Sequence, residues 1–241
     1  MLEKEGSGFV VALITGSASD IGKAIAMMFA KNNYDLILTY HKKEIDYLDE
    51  LKKYDISVKT YKLDITDEDE IEKVINSIDN IDILINCAAI SIDNEIKSKR
   101  KNEFMKVLEV NLVGTFLMTK YTVTKMNKGT IINISSLDST KTFNSYSTDY
   151  IASKAGVNSL TNTFSLEYKN IRFISLLFPW INTSSVREMN PEYLKEEMDK
   201  YNQTRLMETD EVAKVVLDTI NSDIESGSII EVNYDWYRNN C

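Results

Sequence analysis

The chain has 241 residues, and 28 Lys plus Arg against 37 Asp plus Glu give a formal net charge of −9. That balance disfavours tracking a nucleic-acid backbone, while 43% apolar and 27% charged residues describe a globular chain and not a disordered one. With one histidine, His41, no multi-histidine metal centre can be built, and Cys87 and Cys241 make no disulfide framework, so a reducing cytoplasm is the expected location. The start of the chain lacks the basic-then-apolar pattern of a secretory signal, and no apolar run reaches the ~18 residues of a membrane span.

Residues 9–14 form an apolar run closed by Thr15-Gly16, which predicts a buried strand and a turn. Ile21, Ile25, Met28 and Phe29 recur at helical spacing up to Lys31. A strand at 35–40 and a charged helix near 43–54 follow, then a strand at 57–63 and an acidic-started helix at 67–78. Ile81–Ile85 is a fourth strand, and a long helix is expected over 101–127. Strand 130–135, helix 149–168 and strand 171–178 come next, then a polar stretch at 184–207 with scattered Met and Tyr. A helix near 209–221 and a strand near 228–233 close the pattern. Strands alternating with helices predict a Rossmann-like, doubly wound parallel sheet in one three-layer α/β/α domain spanning 1–241.

Chemistry-bearing residues gather at the carboxyl ends of these strands, where open α/β sheets bind ligands. Thr15-Gly16-Ser17-Ala18-Ser19-Asp20-Ile21-Gly22 joins a strand to a helix, with Gly16 suited to the tight turn and Gly22 to close helix packing. An ordinary turn with Asp20 capping the helix is the plainer alternative. Asp64 and Asn86-Cys87-Ala88-Ala89 follow two further strands. Tyr150 and Lys154 stand four apart on one helix, where a nearby cation would lower the phenol pKa and make it a usable acid/base. Tyr121 and Lys125 share that spacing, but no strand-end serine precedes them, so Tyr121 is read as packing or interface. Ser135-Ser136 ends the strand before Tyr150; Ser136 is the chosen serine and Ser135 its competitor, since adjacent strand residues face opposite ways.

In this order, together with Asn111-Leu112-Val113-Gly114 and Pro179 with Thr183, these motifs resemble the compact short-chain dehydrogenases/reductases, including 3-oxoacyl-ACP reductases, from Val10 to about Val232. The resemblance implies hydride transfer between a nicotinamide cofactor and a carbonyl or secondary alcohol. Tyr150 would protonate the carbonyl oxygen, Ser136 would hydrogen-bond it, Lys154 would hold the ribose and depress the Tyr150 pKa, and Asn111 would anchor a relay water. Cofactor contacts are implied for Gly16, Ser17, Ser19, Asp20 and Ile21 in the loop. Further along, Asp64, Asn86 and Ala88 would contribute, then Pro179, Ile181 and Thr183, with Tyr150 and Lys154 completing the set.

Four departures stand out: Asp20 and Trp180 replace glycines usual in the family, its Asn-Asn-Ala-Gly segment is Asn86-Cys87-Ala88-Ala89, and the usual C-terminal glycine pair is Val232-Asn233-Tyr234-Asp235-Trp236. The second strand ends His41-Lys42-Lys43 without an acid, which favours NADP(H) over NAD(H), with His41 and Lys42 near the 2′-phosphate. Residues 184–207 correspond to the substrate lid. A 3-oxoacyl thioester on acyl carrier protein is one candidate substrate, with Lys125, Lys128, Lys169 and Arg172 as a basic landing patch near the site; sugars, polyols and steroids are others. A homotetramer, with a dimer second, is expected from the apolar 101–127 helix. A non-enzymatic nicotinamide-binding sensor or scaffold is the alternative function, motivated by Asp20, Trp180 and the altered C-terminus.

Overall fold

The chain was studied as a computed structural model, which describes residues 9–141 and 143–232. Seven strands form one parallel sheet: β1 Val11–Ile14, β2 Asp35–Tyr40, β3 Val58–Lys62, β4 Ile83–Asn86, β5 Gly129–Ser136, β6 Ile171–Phe178 and β7 Ser228–Glu231. Their order is β3-β2-β1-β4-β5-β6-β7. The direction of winding reverses between β1 and β4, which leaves a crevice beyond their carboxyl ends.

Side-chain alternation along each strand feeds two cores. From β1, Ala12 and Ile14 pack into one and Leu13 into the other. The first core lies under α1 (Asp20–Lys31) and α9 (Thr209–Ile220), whose Ile25, Phe29, Val212 and Val216 have no exposure. The second lies under α3 (Glu68–Asn76) and α5 (Thr115–Thr122), through Ile71, Ile75, Leu117 and Met118. Burying each such side chain contributes about 1.5–3 kcal/mol. The remaining helices are α2 (Leu48–Leu51), α4 (Lys101–Leu108), α6 (Thr148–Glu167), α7 (Ser184–Arg187) and α8 (Pro191–Asp199).

Two expected helices differ. The 43–54 helix shrinks to α2, because Tyr47 is drawn into the core, where its hydroxyl donates to Ser17 O at 2.9 Å. The 101–127 helix is interrupted by a π-helical turn, Glu109–Gly114, before α5. That turn aims Asn111 at the loop after β4: Asn111 Oδ1 accepts from Ile90 N at 2.8 Å, and Nδ2 donates to Ile90 O at 2.9 Å and Ser153 Oγ at 3.1 Å. Helical register is given up locally for three bonds that join β4, the π turn and α6.

Candidate active site

Gly16 turns the chain from β1 toward α1 at φ +67°, and a Cβ there would stand 2.7 Å from Ala88 Cα. Only glycine permits both the conformation and the approach. Ser19, not Asp20, caps α1: its hydroxyl accepts from Gly22 N at 3.0 Å and donates to Gly16 O at 2.8 Å. Asp20 is the first residue of α1 and reaches across to the start of the lid. Its carboxylate accepts from Ser184 N at 2.5 Å and lies 3.9 Å from Arg187. The Ser184 backbone bond, the Ser184 side chain and the Arg187 charge outweigh the opposing effect of burial and hold its pKa below the usual value.

A cavity of about 710 Å³ runs along this loop, lined by Gly16, Ser19, His41, Lys42, Lys43, Asp64, Ala88 and Lys106 among others. His41 Nε2 stands 3.4 Å from Asp64 Oδ2. Burial pushes the Asp64 carboxyl up, but the amide and hydroxyl of Thr66 and the charges of His41 and Lys42 bring it below its ordinary value. Ser17 and Asn86 do not line this wall. Ser17 is wholly buried, with its hydroxyl on Ile14 O at 2.8 Å, while Asn86 Nδ2 donates to Asn133 Oδ1 and Thr119 Oγ1. Both knit the sheet ends together.

A second cavity, of about 650 Å³, is lined by Ser136, Tyr150, Pro179, Trp180, Ile181 and Thr183, and shares Ala18, Ser19, Lys43 and Cys87 with the first. Pleating resolves the serine pair: Ser136 faces the cavity, whereas buried Ser135 donates weakly to Lys154 O at 3.5 Å. Lys154 lies beneath, 4% exposed, its ammonium donating to Ile134 O at 2.7 Å and standing 5.5 Å from the Tyr150 ring centroid.

The expected lowering of the Tyr150 pKa is not found in this ligand-free chain. Burial and the charges of Asp138 and Asp93 push the phenol up. Burial also draws the Lys154 pKa down, to about 8.

Tyr121, read from the sequence as packing or interface, lines neither cavity, while the basic patch falls elsewhere than expected. The Tyr121 hydroxyl donates to Glu68 at 2.9 Å, on α5 and away from the cavity. The proposed basic patch is not near the site. Lys128 and Lys169 stand just before β5 and β6, Arg172 at the start of β6, and Lys125 bonds Asn76 O at the end of α3. The length of β5 separates that end from Ser136 by about 23 Å. Arg172 is moreover spent on the carbonyls of Ser222 and Ile220 and on Thr130.

Sequence reasoning missed Asp138 and Asp93, which line the cavity beside Tyr150, whereas Met189 and Tyr201 line it from among the scattered Met and Tyr of the lid. An acid two positions after Ser136 was the available signal. Trp180 is fixed at the cavity rim by Gln203, whose side chain bonds both its N–H and its carbonyl. The lid segment 184–207 contains α7 and α8 and returns to the site through a parallel bridge between Ile181 and Met207.

The short chain dehydrogenase family profile matches residues 10–194. A 3-oxoacyl-[acyl-carrier-protein] reductase of Thermotoga maritima is 35% identical over 219 residues, covering 86% of this chain and 88% of that protein. Its counterpart in Aquifex aeolicus is 31% identical, over 92% and 95% of the two chains. Among solved structures, the aldohexose dehydrogenase of Thermoplasma acidophilum shares the fold, with a TM-score of 0.80 over 93% of this chain and 92% of that one, at 22% identity. The chain belongs to the short-chain dehydrogenase family, and is thus a nicotinamide-dependent oxidoreductase acting on CH–OH and C=O groups.

Proposed function

We propose that this chain is an NADP(H)-dependent carbonyl reductase that also runs in the alcohol-oxidising direction. The observation that carries the reading is the juxtaposition of Ser136 and Tyr150 on one cavity, with Lys154 5.5 Å from the Tyr150 ring and the Gly16 loop at the cavity's other end. The dinucleotide fits the residues present. Gly16 lets the loop close on Ala88, Ser19 and Ile21 line the second cavity at the start of α1, and the Asp20 carboxylate on the same wall is engaged by Ser184 N and lies 3.9 Å from Arg187. When bound, the nicotinamide supplies or accepts the hydride.

The chain's own residues do the rest. Gly16, Ser19, Asp64 and Ala88 form the wall for the adenosine half, with His41 and Lys42 beside the ribose. His41, Lys42, Lys43 and Lys106 line this cavity, and their number favours a 2′-phosphate. Pro179, Ile181 and Thr183 flank the nicotinamide end. Ser136 donates a hydrogen bond to the substrate oxygen, and Tyr150 gives that oxygen its proton. Lys154 bonds the ribose hydroxyls, and Asn111, at the π turn, anchors the water that links Lys154 to solvent protons. Ser17 and Asn86 support the site from the interior.

The unit is one domain with residues 184–207 as its lid. A second copy covers the outer face carrying Met105, Val113, Phe116 and Leu166, all exposed, in a dimer or tetramer. A cytoplasmic location is supported by the buried free thiol of Cys87.

The test pairs two measurements. Fluorescence titration should show tighter binding of NADPH than of NADH. Tyr150→Phe should lower turnover of any accepted carbonyl by about 100-fold or more while leaving that binding intact. Near-normal turnover by the variant sinks the mechanism, and tighter NADH binding sinks the cofactor choice.

A further inference from the structure

A cavity that seats a carbonyl against Ser136 and Tyr150 must also accommodate whatever the carbonyl carbon carries. Here the wall next to Ser136 and Tyr150 carries two acids, within a lining that is otherwise largely apolar. Asp138, two residues after Ser136, is only 8% exposed yet lines the cavity. Its backbone N–H donates to Ser136 Oγ at 3.2 Å, and its Oδ2 lies 3.5 Å from the same hydroxyl. From the lid, the Tyr201 hydroxyl donates to Oδ1. The carboxylate therefore stands between the oxygen that meets the substrate carbonyl and the segment that closes over the substrate. Across the cavity, Ser91 and Ser147 direct their hydroxyls to Asp93 at 2.6 and 2.7 Å, which continues a wall of paired acceptors and hydroxyls.

An ionised carboxylate only accepts hydrogen bonds. An alkyl chain laid beside it removes water and offers no donor, which burial energetics disfavours. A hydroxyl on the carbon next to the carbonyl supplies that donor at the same place. The four basic residues expected to receive an acidic carrier protein lie at the other end of the strands, while Ile90, Trp180, Val186 and Met189 line the remainder of the cavity, so the choice between substrates turns on what lies next to Asp138.

We propose, building on the carbonyl-reductase reading, that Asp138 is a specificity-determining residue. It accepts a hydrogen bond from a hydroxyl beside the reacting carbonyl and so selects small hydroxylated aldehydes and ketones over alkyl-chain ketones. No covalent step is added: the hydride and proton go where the reductase reaction already sends them.

Hydroxyacetone and butanone differ only by a hydroxyl in place of a methyl group, and they form the test pair. NADPH oxidation is followed for both, and for the N-acetylcysteamine thioester of acetoacetate, with the wild-type chain, Asp138→Asn and Asp138→Leu. Wild type should favour hydroxyacetone over butanone by about tenfold to a hundredfold in kcat/KM. Asp138→Asn should keep part of that preference through its carboxamide oxygen, and Asp138→Leu should lose it while still melting cooperatively. Equal use of the two ketones by wild type, an unchanged ratio in Asp138→Leu, or faster reduction of the thioester than of hydroxyacetone overturns the assignment. Ligand-observed NMR measures binding of the same two ketones in parallel. Should no carbonyl be reduced, the reductase reading itself falls. The binding ratio then still decides the role of Asp138: a preference lost in Asp138→Leu upholds it, and equal binding removes it.

Discussion

Lys99 and Asp149 form an ion pair of 2.9 Å with side chains 5% and 0% exposed, and Asp149 immediately precedes Tyr150. Lys99 also donates to Ile92 O, and the Asn94 amide donates to Tyr146 O at 2.9 Å. Together these bonds hold segment 91–99, which brings Ser91 and Asp93 to the cavity, against the start of α6. Lys99→Met preserves most of the side-chain volume but leaves the Asp149 carboxylate buried without its cation. Such a change costs about 3–5 kcal/mol. At about 2–4 °C per kcal/mol for a chain of this size, the melting temperature should fall by about 6–20 °C. Adding Asp149→Leu removes the stranded charge and should restore most of the loss, because well-packed apolar pairs often match buried ion pairs. Thermal unfolding followed by circular dichroism or calorimetry reads both variants. A loss below about 1 kcal/mol for Lys99→Met would place the pair with ordinary surface bridges, and a double variant no better than the single one would show that the stranded charge was not the cause.

Further outcomes follow from the same geometry. Burial draws Lys154 from 10.5 to about 8. The unfolded chain therefore binds more protons at this group between those two values, and its contribution to stability rises with pH across that window. For function the sign is opposite: the ammonium that would bond the ribose is lost above about pH 8, so kcat/KM for NADPH should descend there, and a profile flat through about pH 9 contradicts the assignment. In Gly22→Ala, the new Cβ would meet Gly16 O at 2.3 Å and Ser17 Cα at 2.8 Å, backbone atoms that cannot step aside. A loss of about 1–3 kcal/mol and at least about tenfold weaker NADPH binding are expected; a variant with wild-type melting and affinity would mean the loop is looser than drawn. Phe116→Glu places a charge on the exposed face of α5, 6.1 Å by ring centroids from the Phe164 position, and should lower the mass seen in light scattering. An unchanged mass locates the contact between copies elsewhere.

Much of this site was legible because parallel strands write themselves plainly. The apolar runs of β1, β4, β5 and β6 and the motifs at their carboxyl ends are local in sequence, and sheet topology alone brings those ends together. Gly16 could be read because its positive φ admits little else. The π turn could not, since residues 101–127 carry helical periodicity throughout and the three bonds of Asn111 to Ile90 and Ser153 are long-range. The same holds for α2, where periodicity loses to the burial of Tyr47 beneath Ser17 O. Asp20 as a cap was the reasonable local reading; Ser19 does that work because Asp20 is claimed by Ser184, 164 positions away. The four basic residues looked adjacent to the site only because sequence proximity to β5 and β6 does not say which end of a strand a residue occupies.

The reversed shift of Tyr150 bears on which chemistry the resting cavity is ready for. A phenol raised above its ordinary value is protonated at neutral pH, the state in which it donates a proton to a carbonyl oxygen that is receiving hydride. Oxidising an alcohol calls for the phenolate instead, and two features oppose that state before any ligand arrives: burial, and the carboxylates of Asp138 and Asp93. Those carboxylates also line the substrate cavity. One arrangement of acids therefore has two consequences. It keeps the proton on Tyr150, and on the proposed role of Asp138 it favours a hydrogen-bond donor beside the carbonyl. Replacing Asp138 by Leu removes one negative charge near the phenol as it removes the acceptor. The variant that loses its preference for the hydroxylated ketone should therefore also oxidise alcohols at a lower pH than the wild-type chain, and loss of preference without that shift would separate the two roles.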